Sequence, residues 1–571
     1  MGFPRMEREA NPTVSDVLID ALLARGVRHI CGVPGDSMLD FLGQIERRKN
    51  GASARESGRL LEYVNFCDEQ GAGFAADAYA RVRGLGALAV TWGVGGLKVA
   101  NPVGGAYAEE SPVLVISGAP KTAARGHDAL LHHKVRAFDT QQRVFEQLTA
   151  GTFVIDEPRT AAEKIEAALE LAVTARRPVY LEIPADLFAQ PCPPAEAGEP
   201  KSASTIPASD PAALAAAVDE ALALVLNPRT SSPIVLAGVE IHRLGLQDAL
   251  RELIDRTNLP IAANMLGKSV IDERHPGYIG TYWGRLSRDD VRQRVESSDC
   301  VLQLGVWWTD FERGFAPPPL DPERSVQAER NRVKVGHAAY DDVGLGDFLR
   351  ELTRRLTWSL PPPEAQDLPT WTADSGQQVT IARLFEALNA FLTDETLVVS
   401  DVGDCLFAAR DLRTHRATDF LSPAYYLSMG FGVPASIGAQ LALRAAGREV
   451  RPLVLVGDGA FQMTGIELAT ALRFDCNPIV VLLDNDGYTT ERYLVDGTFN
   501  DLLRWDYRRL AELFDDSRLD RTGRAYRIET EGDLDAALRG AREFHDGFVL
   551  LDVRLERMDG SDAVRRLWAH G

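Results

Sequence analysis

Asp458 and Asn485 are the residues of this sequence whose types and placement most directly suggest chemistry. Each stands at the C-terminal end of an apolar run, in "LVLVGDGAFQ" and "IVVLLDNDGY". Between them come a glycine-flanked turn, Gly457-Asp458-Gly459, a helical stretch and the second apolar run. In an open parallel sheet, ligands bind beyond the carboxyl ends of the strands. Glycines let a backbone approach a ligand closely, and the free N–H groups at a helix N-terminus attract phosphate. Two oxygen donors together with diphosphate oxygens suit a hard divalent cation such as Mg2+. The unit is therefore expected to act as a metal–diphosphate clamp.

The rest of the chain supplies the elements that such a clamp needs. A first block, 10–190, alternates helical stretches (SDVLIDALLARG) with short buried-strand runs (HICGV, ALAVTW, PVLVISG, PVYLEI). A second, 205–358, opens on an Ala-rich helix (AALAAAVDEALALVL) and continues with PIVLAG, PIAAN, CVLQLG and RVKVG. A third, 375–560, alternates again: TLVVSD, VPASIGAQLALRAA, PLVLVGDG, IVVLLDN and FVLLDVRL. Pro-, Ala- and Ser-rich stretches between the blocks read as linkers. Strands alternating with helices imply parallel sheets covered on both faces. The expected fold class is thus α/β, with three doubly wound domains. The first and third blocks share a pattern that suggests a distant duplication.

Composition excludes several function classes. A chain of 571 residues is long enough for several domains. Its formal net charge of -20 argues against a nucleic-acid partner, which needs clustered Lys and Arg, and against an anionic membrane surface. No uninterrupted apolar run reaches the ~20 residues of a membrane span. The six cysteines are scattered with no CxxC pair, which disfavours a zinc site or redox dithiol. The N-terminal MGFPRMEREANPT lacks the apolar core of a secretory signal, so a cytoplasmic location is expected.

The succession of GDG, helix, apolar strand and Asn resembles the thiamine diphosphate (ThDP) signature of the pyruvate decarboxylase and acetolactate synthase superfamily. The resemblance implies pyrimidine-binding, middle and diphosphate-binding domains, matching the three blocks. It also implies a homodimer or homotetramer, with the cofactor between the first domain of one subunit and the third of another. Mg2+ would be held by the side chains of Asp458 and Asn485 and the carbonyl of Gly487. Gly457, Gly459, Ala460 and Tyr488 would join the cofactor contacts. "CDEQGAGFAADAYARVRG" resembles the helix of the family's activating glutamate. Glu69 would then hydrogen-bond N1′ of the aminopyrimidine and promote loss of the C2 proton, the carbanion chemistry belonging to the cofactor. "AYYLSMGFGVPASIGAQ" matches the loop and helix beneath the thiazolium, with Met429 as the large apolar residue that bends the cofactor. "VSDVGDCLF" resembles a further cofactor-contacting turn. It would bring Val402 and Gly403 to the aminopyrimidine, with Asp404 and Cys405 following toward the diphosphate.

Three more features resemble the proton-handling set of pyruvate and indolepyruvate decarboxylases. These are Asp36 in "CGVPGDSML", the pair His132-His133 in "HDALLHHKV", and Glu491 in "DNDGYTTER". Carboxylates and imidazoles can shuttle protons near neutral pH. The expected activity is non-oxidative decarboxylation of a 2-oxo acid to an aldehyde through a ThDP enamine. Two other readings stay open. "DEQGAGFAADAYA" and "SMGFGVPASIGA" are closer to acetolactate synthase, so a ThDP-dependent carboligase of that or the acyloin type is one. A catalytically silent ThDP-like scaffold is the other, and the retained Glu69, Asp458 and Asn485 argue against it. The polar stretch "ERRKNGASARESGRLLEY", 46–63, is longer than the family pattern leads one to expect.

Overall fold

Three sheets carry the chain, and the first and third are built alike. A computed structural model describes residues 12–51, 60–125, 130–193, 208–316, 320–364, 367 and 369–568. Residues 52–59 of the polar 46–63 stretch lie outside the described residues. The first sheet holds β1 (His29–Gly32), β2 (Glu62–Asn65), β3 (Gly86–Val90), β4 (Val113–Ala119), β5 (Thr152–Val154) and β6 (Val179–Pro184). Their order is β2-β1-β3-β4-β6-β5, and every pairing is parallel. β3, β4 and β6 are buried along their whole length, as strands covered on both faces must be.

The central sheet contains β7 (Pro233–Ala237), β8 (Ile261–Ala263), β9 (Tyr278–Thr281), β10 (Cys300–Leu304), β11 (Ser325–Glu329), β12 (Arg332–Val335) and β13 (Ala338–Asp341). The order is β13-β12-β11-β10-β7-β8-β9. β12 and β13 pair antiparallel at one edge, and exposure alternates along β12, as on a ribbon with one solvated face.

The third sheet holds β14 (Thr396–Ser400), β15 (Phe420–Leu421), β16 (Arg451–Gly457), β17 (Ile479–Asp484), β18 (Arg524–Ile528) and β19 (Val549–Arg554). Its order, β15-β14-β16-β17-β19-β18, repeats that of the first sheet strand for strand, again all parallel. In both sheets the chain steps one way from the first strand and then back across it. That creates a switch point between the first and third strands, where open α/β sheets bind ligands.

By packing, the three blocks fall into two compact units. Residues up to 205 together with 437–448 make one; 206–436 with 449–571 make the other. In the second unit the central and third sheets share a core. Trp283 stacks on Phe407 at 5.2 Å between ring centroids and meets Phe311 edge-on at 4.8 Å. Beside them the fully buried Lys268 Nζ lies 2.9 Å from Glu273 Oε2 and donates to the Leu412 carbonyl at 2.6 Å. Glu273 in turn accepts from the Thr414 amide at 2.8 Å. The linker composition of 355–377 thus separates two sheets in sequence while aromatic packing joins them in space.

Candidate active site

The clamp expected from the sequence is assembled at the carboxyl ends of β16 and β17. Asp458 opens the helix Asp458–Thr464 and is buried. Its Oδ1 accepts from its neighbour's amide, Gly459, and its Oδ2 from the Gly487 amide, each at 2.8 Å. Burial pushes its carboxyl up to about 6 against the pull of these two donors. Gly487 has φ +133, and a Cβ there would lie 2.0 Å from the Asn500 carbonyl oxygen. Backbone conformation and space therefore both require glycine. The Gly487 carbonyl accepts from Thr489 at 2.9 Å, which leaves one lone pair for another partner. Asn485 is only 5% exposed, yet no described residue hydrogen-bonds its carboxamide.

These observations fit a hard cation and a diphosphate. The donors are a carboxylate, a carboxamide and a main-chain carbonyl, all oxygens. At Gly457 a Cβ would meet nothing within 4 Å, so the helix N-terminus opens on free space. Gly459 is fixed by packing instead: a Cβ would stand 2.4 Å from the Tyr488 ring. Ala460 and Met429 join one apolar cluster with Val433, Val456 and Phe461, so Met429 is anchored beside the turn that carries Asp458.

Two buried groups absent from the sequence reading hold this arrangement. Arg492 has a fully buried guanidinium that donates to the carbonyls of Asn485, at 2.9 Å, of Asp486 and of Asn500, and to Asp501. It braces the loop that presents Asn485 and Gly487. Asp401 follows β14 and accepts from the amides of Val402, Gly430 and Gly432 at 2.9, 3.1 and 2.7 Å. It thereby ties the Val402-Gly403 turn to the Met429 loop, and burial pushes it up to about 6.

The side chains of Asp404 and Cys405 have their partners in the third block and just past its end. The Asp404 carboxylate is taken by the amide and hydroxyl of Ser561. The Cys405 thiol donates to the carbonyls of Asp401 and Val402. Both side chains are spent inside the third sheet's own framework, leaving Val402 and Gly403, the latter with φ +92, as the open part of the turn. Glu491 is exposed on the short helix Thr489–Arg492.

A second group of site residues lies at the switch point of the first sheet. Asp36 follows β1 and Thr91 follows β3. Asp36 Oδ1 accepts from the Ser37 amide at 2.8 Å and from the Thr91 hydroxyl at 3.3 Å. Its Oδ2 meets His132 Nε2 at 2.9 Å, and that bond holds the carboxyl below the usual carboxylate range. The His132 and His133 rings meet edge to face, 4.7 Å apart. His133 has φ +66, and Gly93 packs so closely that a Cβ there would be 2.8 Å from the Cβ of His133. The Gly93 amide is fixed in turn by the buried Gln141 at 2.7 Å.

Glu69 begins the helix Glu69–Arg83, capped by Asp68, whose side chain accepts from the Gln70 amide at 2.8 Å. Close packing explains the small residues that follow. A Cβ on Gly73 would be 2.4 Å from Pro102, and one on Gly438 would be 2.0 Å from the Ala75 carbonyl oxygen. Farther along, Arg81 is buried between Asp77 and Glu109 and pins the helix to the core. Glu69 keeps 13% of its side chain exposed, and Lys98 Nζ stands 3.3 Å from its Oε2 while also pairing with Asp68.

Comparison with known proteins identifies the family. Residues 12–142, 218–356 and 401–553 match three families, described as Thiamine pyrophosphate enzyme, N-terminal TPP binding domain, central domain and C-terminal TPP binding domain. The chain is 34% identical over 565 residues to an indole-3-pyruvate decarboxylase of Azospirillum brasilense, covering 97% of each chain. It is 33% identical over 557 residues to an alpha-keto-acid decarboxylase of Mycolicibacterium paratuberculosis, covering 96% of this chain and 94% of that one. A like-named protein of Mycobacterium leprae is 32% identical over 572 residues.

Proposed function

The chain belongs to the thiamine diphosphate-dependent 2-oxo acid decarboxylases, and on that premise we propose how its own residues divide the work. Asp458, Asn485 and the Gly487 carbonyl would hold Mg2+, and the Gly457–Ala460 turn would receive the diphosphate. Tyr488 and Met429 shape the wall beside it. The Val402-Gly403 backbone of one subunit and Glu69 of another would hold the aminopyrimidine. Thiamine diphosphate, once bound, supplies the nucleophilic carbon and the electron sink that make loss of CO2 from a 2-oxo acid feasible.

The protein's part is proton management and positioning. Glu69 would donate to or accept from the aminopyrimidine ring nitrogen, with Lys98 orienting its Oε2. Asp36 and His132 share a proton along their 2.9 Å contact, and His133 lies against that pair. Such a pair can deliver a proton to the carbon that has lost CO2 and favour release of an aldehyde. Glu491, exposed on the Thr489–Arg492 helix, would serve the same transfer from the neighbouring subunit. The Asp36–His132 contact is the observation that carries this assignment, since a carboligase has no need of a proton donor at that carbon.

The oligomer belongs to the same proposal. Leu494, Val495, Phe499 and Leu503 are 50%, 64%, 69% and 79% exposed just beyond the Asn485 loop. Apolar surface of that extent supports a homodimer or homotetramer in which copies cover one another. A cytoplasmic location completes the reading.

The deciding experiment is a panel of 2-oxo acids with aliphatic, aromatic and indolic side chains. CO2 is measured while aldehyde and hydroxyketone products are separated. Aldehyde is the expected main product. A predominance of hydroxyketone without added aldehyde would overturn the assignment of Asp36 and His132.

A further inference from the structure

The Asp36–His132–His133 cluster has the composition and geometry of a metal site of a different kind from the oxygen-only clamp at Asp458. One ligand atom from each of the three residues can be chosen so that all lie within 4.8 Å of one another. Two imidazoles and one carboxylate are the ligand set of open transition-metal sites, and three protein ligands with a free position are what exchangeable zinc sites offer. Zinc–nitrogen and zinc–oxygen bonds of about 2.0–2.2 Å place ligand atoms somewhat over 3 Å apart. His132 Nε2 and Asp36 Oδ2, now 2.9 Å apart, need only a small opening to meet that requirement.

Features around the cluster strengthen the case. Bound carboxylates in metal sites are oriented by hydrogen bonds to their other oxygen. Asp36 has that support, with Oδ1 taken by the Ser37 amide and the Thr91 hydroxyl and Oδ2 turned toward the imidazole. His133 is held in the left-handed region at φ +66, which brings two sequence neighbours onto one site. The side chains of Asp36 and His132 are 58% and 63% exposed, so a hydrated ion has access.

We propose that Asp36, His132 and His133 bind a nitrogen-preferring divalent transition metal, with Zn2+ as the representative, alongside the Mg2+ of the cofactor clamp. Hard Mg2+ avoids an imidazole-rich site, and Zn2+ favours it, so the two ions sort by ligand chemistry. If these residues also handle protons, as proposed above, the bound ion withdraws them from that task and inhibits turnover. That consequence rests on the functional reading; the binding itself does not.

The test is calorimetric titration of Zn2+ into the full chain held at saturating Mg2+ and thiamine diphosphate, with zinc X-ray absorption on the loaded protein. One Zn2+ per chain in a nitrogen- and oxygen-only shell with two imidazoles is expected. Asp36→Asn and His132→Ala are expected to weaken binding on the order of 100-fold or more, since even the outer partners of metal ligands are worth 10–100-fold. His275→Ala, at a separate exposed His–Asp pair, is expected to leave it unchanged. Should a variant fail to fold, the absorption spectrum of the unaltered protein still decides. A sulfur-containing shell, no binding up to millimolar Zn2+, or equal binding by folded Asp36→Asn and His132→Ala overturns the site. Zn2+ bound as expected without loss of turnover leaves the site standing and overturns the proton-handling role.

Discussion

The carboxylate of Asp458 is hydrogen-bonded to the amide of Gly487, 2.8 Å away, across the ends of two adjacent strands. Two of the three metal donors are thus tied together before any ion arrives. Asp458→Ala removes both the charge and the tie. We expect apparent affinity for thiamine diphosphate at limiting Mg2+ to fall on the order of 100-fold or more, with the circular dichroism unchanged. Calorimetry that shows the affinity of the unaltered protein would sink the assignment.

Arg492 supports the loop from behind. Its guanidinium donates to the carbonyls of Asn485, Asp486 and Asn500 and touches no donor of the proposed metal shell itself except through that backbone. Arg492→Met is expected to raise the Mg2+ concentration needed for half-maximal cofactor binding by roughly 10–100-fold. Arg492→Lys, which restores one or two of the donors, is expected to recover part of the loss. An unaltered Mg2+ requirement in Arg492→Met shows that the loop holds its shape unaided.

Glu69 and Lys98 form a pair whose members are expected to differ in weight. Glu69→Gln keeps size and much of the hydrogen bonding but cannot exchange its proton in the same way. Hydrogen–deuterium exchange at C2 of bound thiamine diphosphate is expected to slow about 10²–10⁴-fold while the cofactor still binds. Lys98→Met is expected to slow it by about tenfold, and Lys98→Arg to restore it, because the lysine orients Oε2 from a half-exposed position where an ion pair is weak. Exchange at the unaltered rate in Glu69→Gln removes Glu69 from its role.

Product partition tests the proton set. Glu491→Gln and Asp36→Asn are expected to retain exchange at C2 yet release aldehyde more slowly, by roughly 10²-fold or more. Added aldehyde then competes for longer, so the hydroxyketone share of product is expected to rise. A share identical to that of the unaltered protein in both variants excludes them from proton transfer.

His29 provides a pH signature of the first unit. It is 13% exposed, with Nδ1 buried and unpartnered, and burial lowers its pKa to about 4. Between pH 6.5 and 4 the unfolded chain binds a proton that the native histidine refuses, so stability falls as pH falls through that window. The full drop is about 3 kcal/mol at about 1.36 kcal/mol per pH unit. Above pH 6.5 the group adds nothing to the pH dependence. His29→Gln is expected to flatten the melting temperature against pH between 6.5 and 4, and an unchanged slope refutes the neutral state of His29.

Much of this was legible because it is written locally. The GDG turn, the following helix and the Asn485 loop are contiguous, so their spacing survives translation into three dimensions. The glycines at 457 and 459 suggest close approach; in the structure the Tyr488 ring crowds Gly459, whereas Gly457 faces open space. What stayed illegible depends on contacts distant in sequence. The motif places Asp404 in a cofactor-contacting turn, but nothing near it in the sequence tells that Ser561 takes its carboxylate. Glu491 and Arg492 are neighbours in the sequence, and only packing shows that one is exposed while the other is buried among carbonyls. The boundary between the central and third blocks read as a linker because composition reports local stiffness, not the aromatic stacking of Trp283 on Phe407.

The buried Lys268–Glu273 pair turns that boundary into a seam instead of a hinge. The lysine takes its remaining partners from the 410–412 backbone, and the glutamate takes the Thr414 amide. Prying the two sheets apart would keep the Lys268–Glu273 pair itself, since both members lie in the central block, but would strip it of its backbone partners at 410, 412 and 414. Any chimaera that exchanges the central sheet with a relative must therefore carry the 410–414 segment with it.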